Sequence, residues 1–260
     1  MSSFTHIART WLKQALGRFV PGSPVVEEWE WYARNHARGS GAAGAAGGGH
    51  LGDEWNTPAV IGADVDAALL VAHLDERVFA PFLEPLAPIR TILEIGAGGG
   101  RFTAALADKA TTVLAGDAAP TMLTLLAARF RDRPGVTPLL LDGRTLAGVG
   151  DGTVDAVFSY DVFVHLTAWD TFNYLREIHR ALRPGGRAIV HHGNALSVLG
   201  WKKFAADAER ERKGLPPAGR FPAMTPALMK AMVEHAGLVL VRSEESVVRR
   251  DAIALIEKPA

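Results

Sequence analysis

The chain of 260 residues contains no cysteine. A disulfide framework, a thiolate metal site and a cysteine nucleophile are thereby excluded. Net charge is also missing, because 28 lysines and arginines balance 28 aspartates and glutamates. Proteins that hold phosphate backbones carry a basic excess, so no nucleic-acid partner is expected. No apolar run reaches the roughly 18 residues of a spanning helix. The first residues lack a compact apolar core followed by a small-residue cleavage site, so the expected location is the cytoplasm. No internal repeat is evident. What is present is a composition 48% hydrophobic and 22% charged. That suffices for one large domain with an accessory segment.

The first ninety residues divide by composition. Residues 1–38 hold an amphipathic helix and an aromatic segment. Phe4, Ile7, Trp11, Leu12, Leu16 and Phe19 fall at helical spacing, with His6, Arg9, Lys13 and Arg18 between them. Such a face suits packing on its own domain, a homodimer contact or an anionic membrane surface. Pro21, Gly22 and Pro24 are expected to end the helix. Trp29, Trp31 and Tyr32 form the aromatic segment. Residues 39–50 are rich in glycine and alanine and read as a flexible linker. Residues 51–90 read as a helical cap, with Trp55 near its start and a helix over 64–86 broken at Pro81 and Pro85.

From residue 91 strands and helices alternate. Strands are expected at 91–96, 111–117, 136–142, 154–160 and 186–192, with helices at 101–110, 120–131, 168–182, 197–213 and 226–236. Strands at 238–247 and 251–258 would close the domain as a hairpin. This predicts an α/β fold: a doubly wound, mostly parallel seven-stranded sheet, Rossmann-like, with an antiparallel edge hairpin. Residues 193–226 interrupt the pattern and read as a lid insert.

The most specific stretch is 92-ILEIGAGGGRF-102, a strand running into a glycine loop and then a helix. Glycine permits positive φ and close approach of a ligand to the backbone. The loop lies at the carboxyl end of the first parallel strand, where open α/β sheets bind ligands. Arg101 stands where a dinucleotide fingerprint needs a small residue, which weakens a nicotinamide-dependent oxidoreductase. Three further features accompany the loop: Asp117 ending the second strand, Asp142–Gly143 ending the third, and 182-LRPGGRAIV-190 before the fifth.

Together these resemble the class I S-adenosylmethionine (SAM)-dependent methyltransferases, over residues 91–258. The resemblance implies SAM as cofactor and S-adenosylhomocysteine as product. It implies that Gly96, Ala97, Gly98 and Gly100 pass the methionine part and that Glu94 supports their loop. Asp117 and Ala118 would meet the ribose, Met122 the adenine face, and Asp142 and Gly143 the adenine edge. Tyr160 and Asp161 would face the sulfonium end.

Methyl transfer from a sulfonium is an in-line displacement, so the protein mainly aligns donor and acceptor. A hydroxyl acceptor needs a base, and His165 follows the fourth strand where the methyl must point. Trp55, His191, His192 and Asn194 are the candidate acceptor-lining residues. Since adjacent strand residues face opposite sides, at most one of the two histidines is expected to look into the site. Histidines and Asp161 could gather a divalent cation such as magnesium, but there is no compact ligand motif, and no metal site is assigned. The passage SYDVFVHL followed by HHGN resembles O-methyltransferases of sugars, polysaccharides and secondary metabolites, including the mycobacterial methylmannose type. The expected function is therefore O-methylation of a small-molecule or glycan hydroxyl. An N-methyltransferase of a small amine and a non-catalytic SAM-binding scaffold remain as alternatives.

Overall fold

The computed structural model describes residues 24–37, 70–215 and 221–260. The helix expected at 4–19, the linker at 39–50, Trp55 and the start of the 64–86 helix lie outside the described residues.

Seven strands form one sheet: β1 (Ile89–Ile95), β2 (Ala110–Asp117), β3 (Val136–Leu140), β4 (Val154–Ser159), β5 (Leu182–Gly193), β6 (Val239–Glu244) and β7 (Asp251–Glu257). Their order is β3-β2-β1-β4-β5-β7-β6. The first five are parallel, and β7 runs antiparallel between β5 and β6. The expected architecture is thus the observed one. Every residue of β4 is buried, as in a strand covered on both faces. One member of that strand is a carboxylate. Asp155 accepts the backbone N–H groups of Arg90 and Thr91, both at 2.9 Å, and Arg183 Nε at 2.6 Å. Burial would raise its pKa, but the Arg183 bond and the two amides prevail and hold it below the usual carboxylate range.

Strand β5 starts earlier than expected. Leu182 already pairs with Val154, and the register shifts before Ala156 meets Arg187. Gly185, at φ +70°, takes up the irregularity.

Helices cover both faces. On one, the helical run from Leu70 to Leu86 packs Phe79, Phe82 and Leu83 towards Ile92 and Phe158. That run is not one regular helix: α2 (Leu70–Leu74) passes into a π turn (Asp75–Phe79), then α3 (Ala80–Leu83) and a 3-10 turn (Glu84–Leu86). Proline lacks the N–H that would continue the ladder, and Pro81 and Pro85 sit at the two later junctions. The same face carries α4 (Thr103–Ala107) and the end of α5 (Pro120–Arg129). The other face carries α6 (Ala168–Ala181) and α8 (Pro226–His235).

Pro24 begins a helix. It is the first residue of α1 (Pro24–Ala37), a position where its fixed φ fits and its missing N–H costs nothing. Ala33 of α1 packs on Ala119 and Met122, with Trp29 and Tyr32 alongside. Glu30, itself buried, accepts Thr121 N–H at 3.1 Å and Thr121 Oγ1 at 2.7 Å. The aromatic segment is therefore a helix fastened to the start of α5. In contrast, α7 (Val198–Arg212) buries only Gly200.

Candidate active site

A cleft with about 950 Å³ of open space lies over the carboxyl ends of β1, β2 and β4. Its floor is the glycine loop. Gly96, Gly98 and Gly100 have φ of +77°, +54° and +92°. A Cβ on Gly96 would come within 2.1 Å of Val162 Cγ2, and one on Gly100 within 2.4 Å of Phe130 Cε2. A Cβ on Gly98 would meet nothing within 4 Å. Two glycines thus let the loop pack against its own chain, and Gly98 opens onto the cleft.

Two carboxylates brace this loop. Asp117 accepts Gly98 N–H and Ala119 N–H, each at 2.8 Å. Burial pushes its pKa up, and those amides oppose the rise. Glu94 is buried and accepts Thr103 Oγ1 at 2.6 Å. Desolvation pushes its pKa up to about 7, against the Thr103 bond. A raised folded-state pKa means that the protonated form fits the fold better. Its contribution to stability is present at low pH and is lost as pH rises towards 7 and beyond. Glu94→Gln keeps an acceptor for Thr103 and removes the titration. The variant should gain on the wild type by about 2–3 kcal/mol between pH 5 and pH 8.5 in urea unfolding. A stability difference that stays flat with pH would rule out a titrating Glu94.

Ala97, Ala118, Met122, Gly143, Tyr160, Asp161 and His165 all line the same cleft, so the structure brings most of the expected residues together. Asp142 is an exception. Its carboxylate accepts Arg144 N–H, Thr145 N–H and Thr145 Oγ1 at 2.6–2.8 Å and caps its own loop. Its neighbour Gly143 is the one of the pair that lines the cleft.

His191 and His192 need correction as acceptor-lining residues. Both are fully buried, because β5 has neighbours on both edges and cover on both faces. His191 stacks on Tyr160, with centroids 4.1 Å apart and planes 9° apart. Its Nδ1 accepts Asp161 N–H at 3.1 Å, so the proton sits on Nε2, which lies 3.5 Å from Asp251 Oδ2. Burial would raise the Asp251 pKa, but His191 and Arg250 hold it at about 2. His192 Nδ1 lies 2.9 Å from Gly193 O, and burial pushes its pKa down to about 4. Asn194 lines a second cleft under α7, with Lys203, Phe221 and Arg250. Trp55 lies outside the described residues. Among the described residues, no group of three His, Asp or Glu side chains is arranged to hold a metal ion.

Sequence reasoning missed Val26, Trp29 and Arg101 as cleft residues. Val26 and Trp29 come from α1, whose proline start was a readable signal. Trp29 meets the His165 ring edge-on at 5.1 Å, and Phe221 meets it from the second cleft at 4.7 Å. The 3-10 turn Phe163–His165 is thus a wall shared by the two clefts.

Residues 93–190 match a family described as a methyltransferase domain. The matched segment runs from β1 into β5 and holds the glycine loop and the turn after β4. An uncharacterized methyltransferase of Mycobacterium tuberculosis (strain ATCC 25618 / H37Rv) is 33% identical over 140 residues, covering 50% of this chain and 54% of the relative. The chain thus matches about half the length of that relative. Among solved structures, a putative sarcosine dimethylglycine methyltransferase from Galdieria sulphuraria superposes with a TM-score of 0.58 at 15% identity, over 74% of this chain and 86% of that one. The [4+2]-cyclase SpnF superposes with a TM-score of 0.57 at 17% identity, over 75% and 81%. These likenesses concern the fold. One fold hosts many chemistries, so activity has to be argued from the site.

SAM is the cofactor that the resemblance implies. The cleft suits it in three respects. Gly98 offers backbone to open space. Asp117 stands at the end of β2, and Met122 gives an apolar wall beside it. Tyr160 Oη, buried at the cleft wall, has no hydrogen-bond partner among the described residues.

Proposed function

We propose that this chain transfers a methyl group from SAM to a hydroxyl of a small molecule or glycan, with His165 as general base. The observation that carries this reading is the place of His165, which lines the glycine-loop cleft and whose ring meets Phe221 of the cleft under α7. When bound, the cofactor supplies a methyl on a sulfonium, which leaves as a neutral thioether. The protein's own work is then alignment and proton removal. Glu94, Gly98, Asp117, Met122 and Gly143 would hold the donor. Asn194 and the α7 cleft would receive the acceptor, with α7 as its lid. The Trp29 and Phe221 rings fix the imidazole from two sides.

The test is methyl transfer from labelled SAM to panels of sugars, phenols and aliphatic amines, with products identified by mass spectrometry. Label on hydroxylated acceptors is the expected result. Label on amines alone would replace this reading with N-methylation. SAM binding without turnover on any panel would point to a scaffold.

A further inference from the structure

Arg250 lines the cleft under α7 and is held there from three sides. Its Nε donates to both Asp251 oxygens, at 2.9 and 3.0 Å, and its Nη2 to Oδ2 at 2.7 Å. Its guanidinium carbon stands 4.7 Å from the centre of the Phe221 ring. Its backbone carbonyl accepts Ser197 Oγ, from the N-cap of α7, at 2.9 Å. Asp251 is fixed in turn from behind. His191 Nε2 lies 3.5 Å from Asp251 Oδ2, and His191 Nδ1 accepts the N–H of Asp161, which is ion-paired to Arg101 on the wall of the first cleft. A desolvated ion pair adds little stability compared with apolar residues of similar size. The row instead fixes the plane of one guanidinium. Nη1 is accessible and makes no hydrogen bond among the described residues.

Resting on the proposed reading that the cleft under α7 receives the acceptor, we propose that Arg250 anchors an oxyanion of that acceptor, a carboxylate or a phosphate. A planar fork held at one edge and on one face presents its other edge without further ordering, and such an edge matches two oxygens of an anion. Lys203 Nζ, 5.2 Å from the centre of the same Phe221 ring, adds a second positive charge and is itself paired with Asp207. The cleft's acids limit the charge it accepts. Asp251 is committed to Arg250, Asp207 to Lys203, and Glu211 is exposed. Together they repel a polyanion and leave room for one charged group. The His165 ring also stands 4.7 Å from the Phe221 centre, so base and anchor lie within twice that distance of each other. The acceptor is then a small hydroxylated anion, with its hydroxyl a few bonds from its charge.

Matched acceptors test the anchor: glycerate and hydroxybenzoate against their amides, and glycerophosphate against glycerol. Methyl transfer from labelled SAM should favour the charged member of a pair by about tenfold or more, and the pair that does so tells carboxylate from phosphate. Arg250→Met should raise KM for that anion by about 10- to 100-fold and change transfer to the neutral partner by less than roughly threefold. Arg250→Lys keeps the charge but not the fork, and should fall between the two. It serves as the reading if Arg250→Met does not fold. Calorimetry with the same compounds, in the presence of S-adenosylhomocysteine, reads the anchor without turnover. Anion binding that Arg250→Met abolishes, with no methyl moved to any hydroxyl, would keep the anchor and overturn the transfer reading. Equal transfer to charged and neutral members, or anion binding that Arg250→Met leaves unchanged, would overturn the anchor and leave methyl transfer standing. A wild type that neither binds nor methylates any of the anions would also overturn the anchor.

Discussion

Replacing His165 by alanine should slow methyl transfer to a hydroxyl acceptor by about 10²-fold or more while leaving SAM affinity near the wild-type value. The reasoning starts from position. His165 ends the 3-10 turn after β4 and lines the glycine-loop cleft, while two carboxylates brace the loop itself. Glu94 and Asp117 do that bracing. Loss of the imidazole therefore removes a proton acceptor and leaves the donor's seat intact. A hydroxyl attacks a sulfonium methyl poorly until its proton is taken, so the loss falls on the chemical step. Single-turnover measurements at saturating SAM, paired with SAM titrations, give the two readings. A variant that transfers within about threefold of the wild type would remove the base assignment. A parallel fall in SAM affinity would recast His165 as part of the cofactor seat.

The second large effect is expected at Asp117. Its two oxygens each take a backbone amide, one from Gly98 in the loop and one from Ala119 at the start of α5. One carboxylate thus ties the glycine loop to the helix that follows β2. Its remaining lone pairs suit the ribose hydroxyls, as at the same place in dinucleotide folds. Asp117→Ala removes all of these at once. SAM affinity should fall by about 10²-fold, in line with hydrogen bonds to a charged group worth about 1.5–3 kcal/mol each. Asp117→Asn separates the parts, because the amide keeps one acceptor oxygen of two. It should retain an intermediate affinity. Unchanged affinity of the alanine variant in calorimetry would refute the ribose role.

Much of this was legible along the chain. Val157 and Phe158 read as a buried strand, and β4 is buried throughout. The loop 96-GAGGG-100 announced a strand-to-helix turn, and the glycines hold positive φ there. The antiparallel pair at 239–257 followed from two apolar runs near the end. The failures have physical reasons. Asp142 sits at the right strand end, but a short acidic side chain next to backbone amides caps its own loop, and sequence does not say which partner is nearer. Alternation told that His191 and His192 face opposite sides; that both sides are covered is a property of the sheet order. The helix α1 begins at Pro24, and proline is as much a first helical residue as a stop, so its start at 24 was open to either reading. Arg101 was judged by a motif it does not fit, while its partner lies 60 positions away in the chain.

The hydrogen-bonded seam between β1 and β4 also divides the chain by kind of constraint. Before it, residues 91–143 supply the loop, Asp117, Met122 and Gly143, which line the glycine-loop cleft. After it, residues 154–257 supply the opposite wall of that cleft, the α7 cleft and the edge strands. Side chains cross that seam at several points: Asp155 accepts Thr91 N–H and Ser159 donates to Ile95 O, both at 2.9 Å, Arg101 reaches Asp161, and the Phe102 ring packs on Phe158 and Tyr160. Substitutions in the later half can remodel what enters the second cleft without rewriting the earlier one. On the proposed reading, in evolutionary terms, the chain can exchange its guest and keep its reagent, provided that these crossings are left in place.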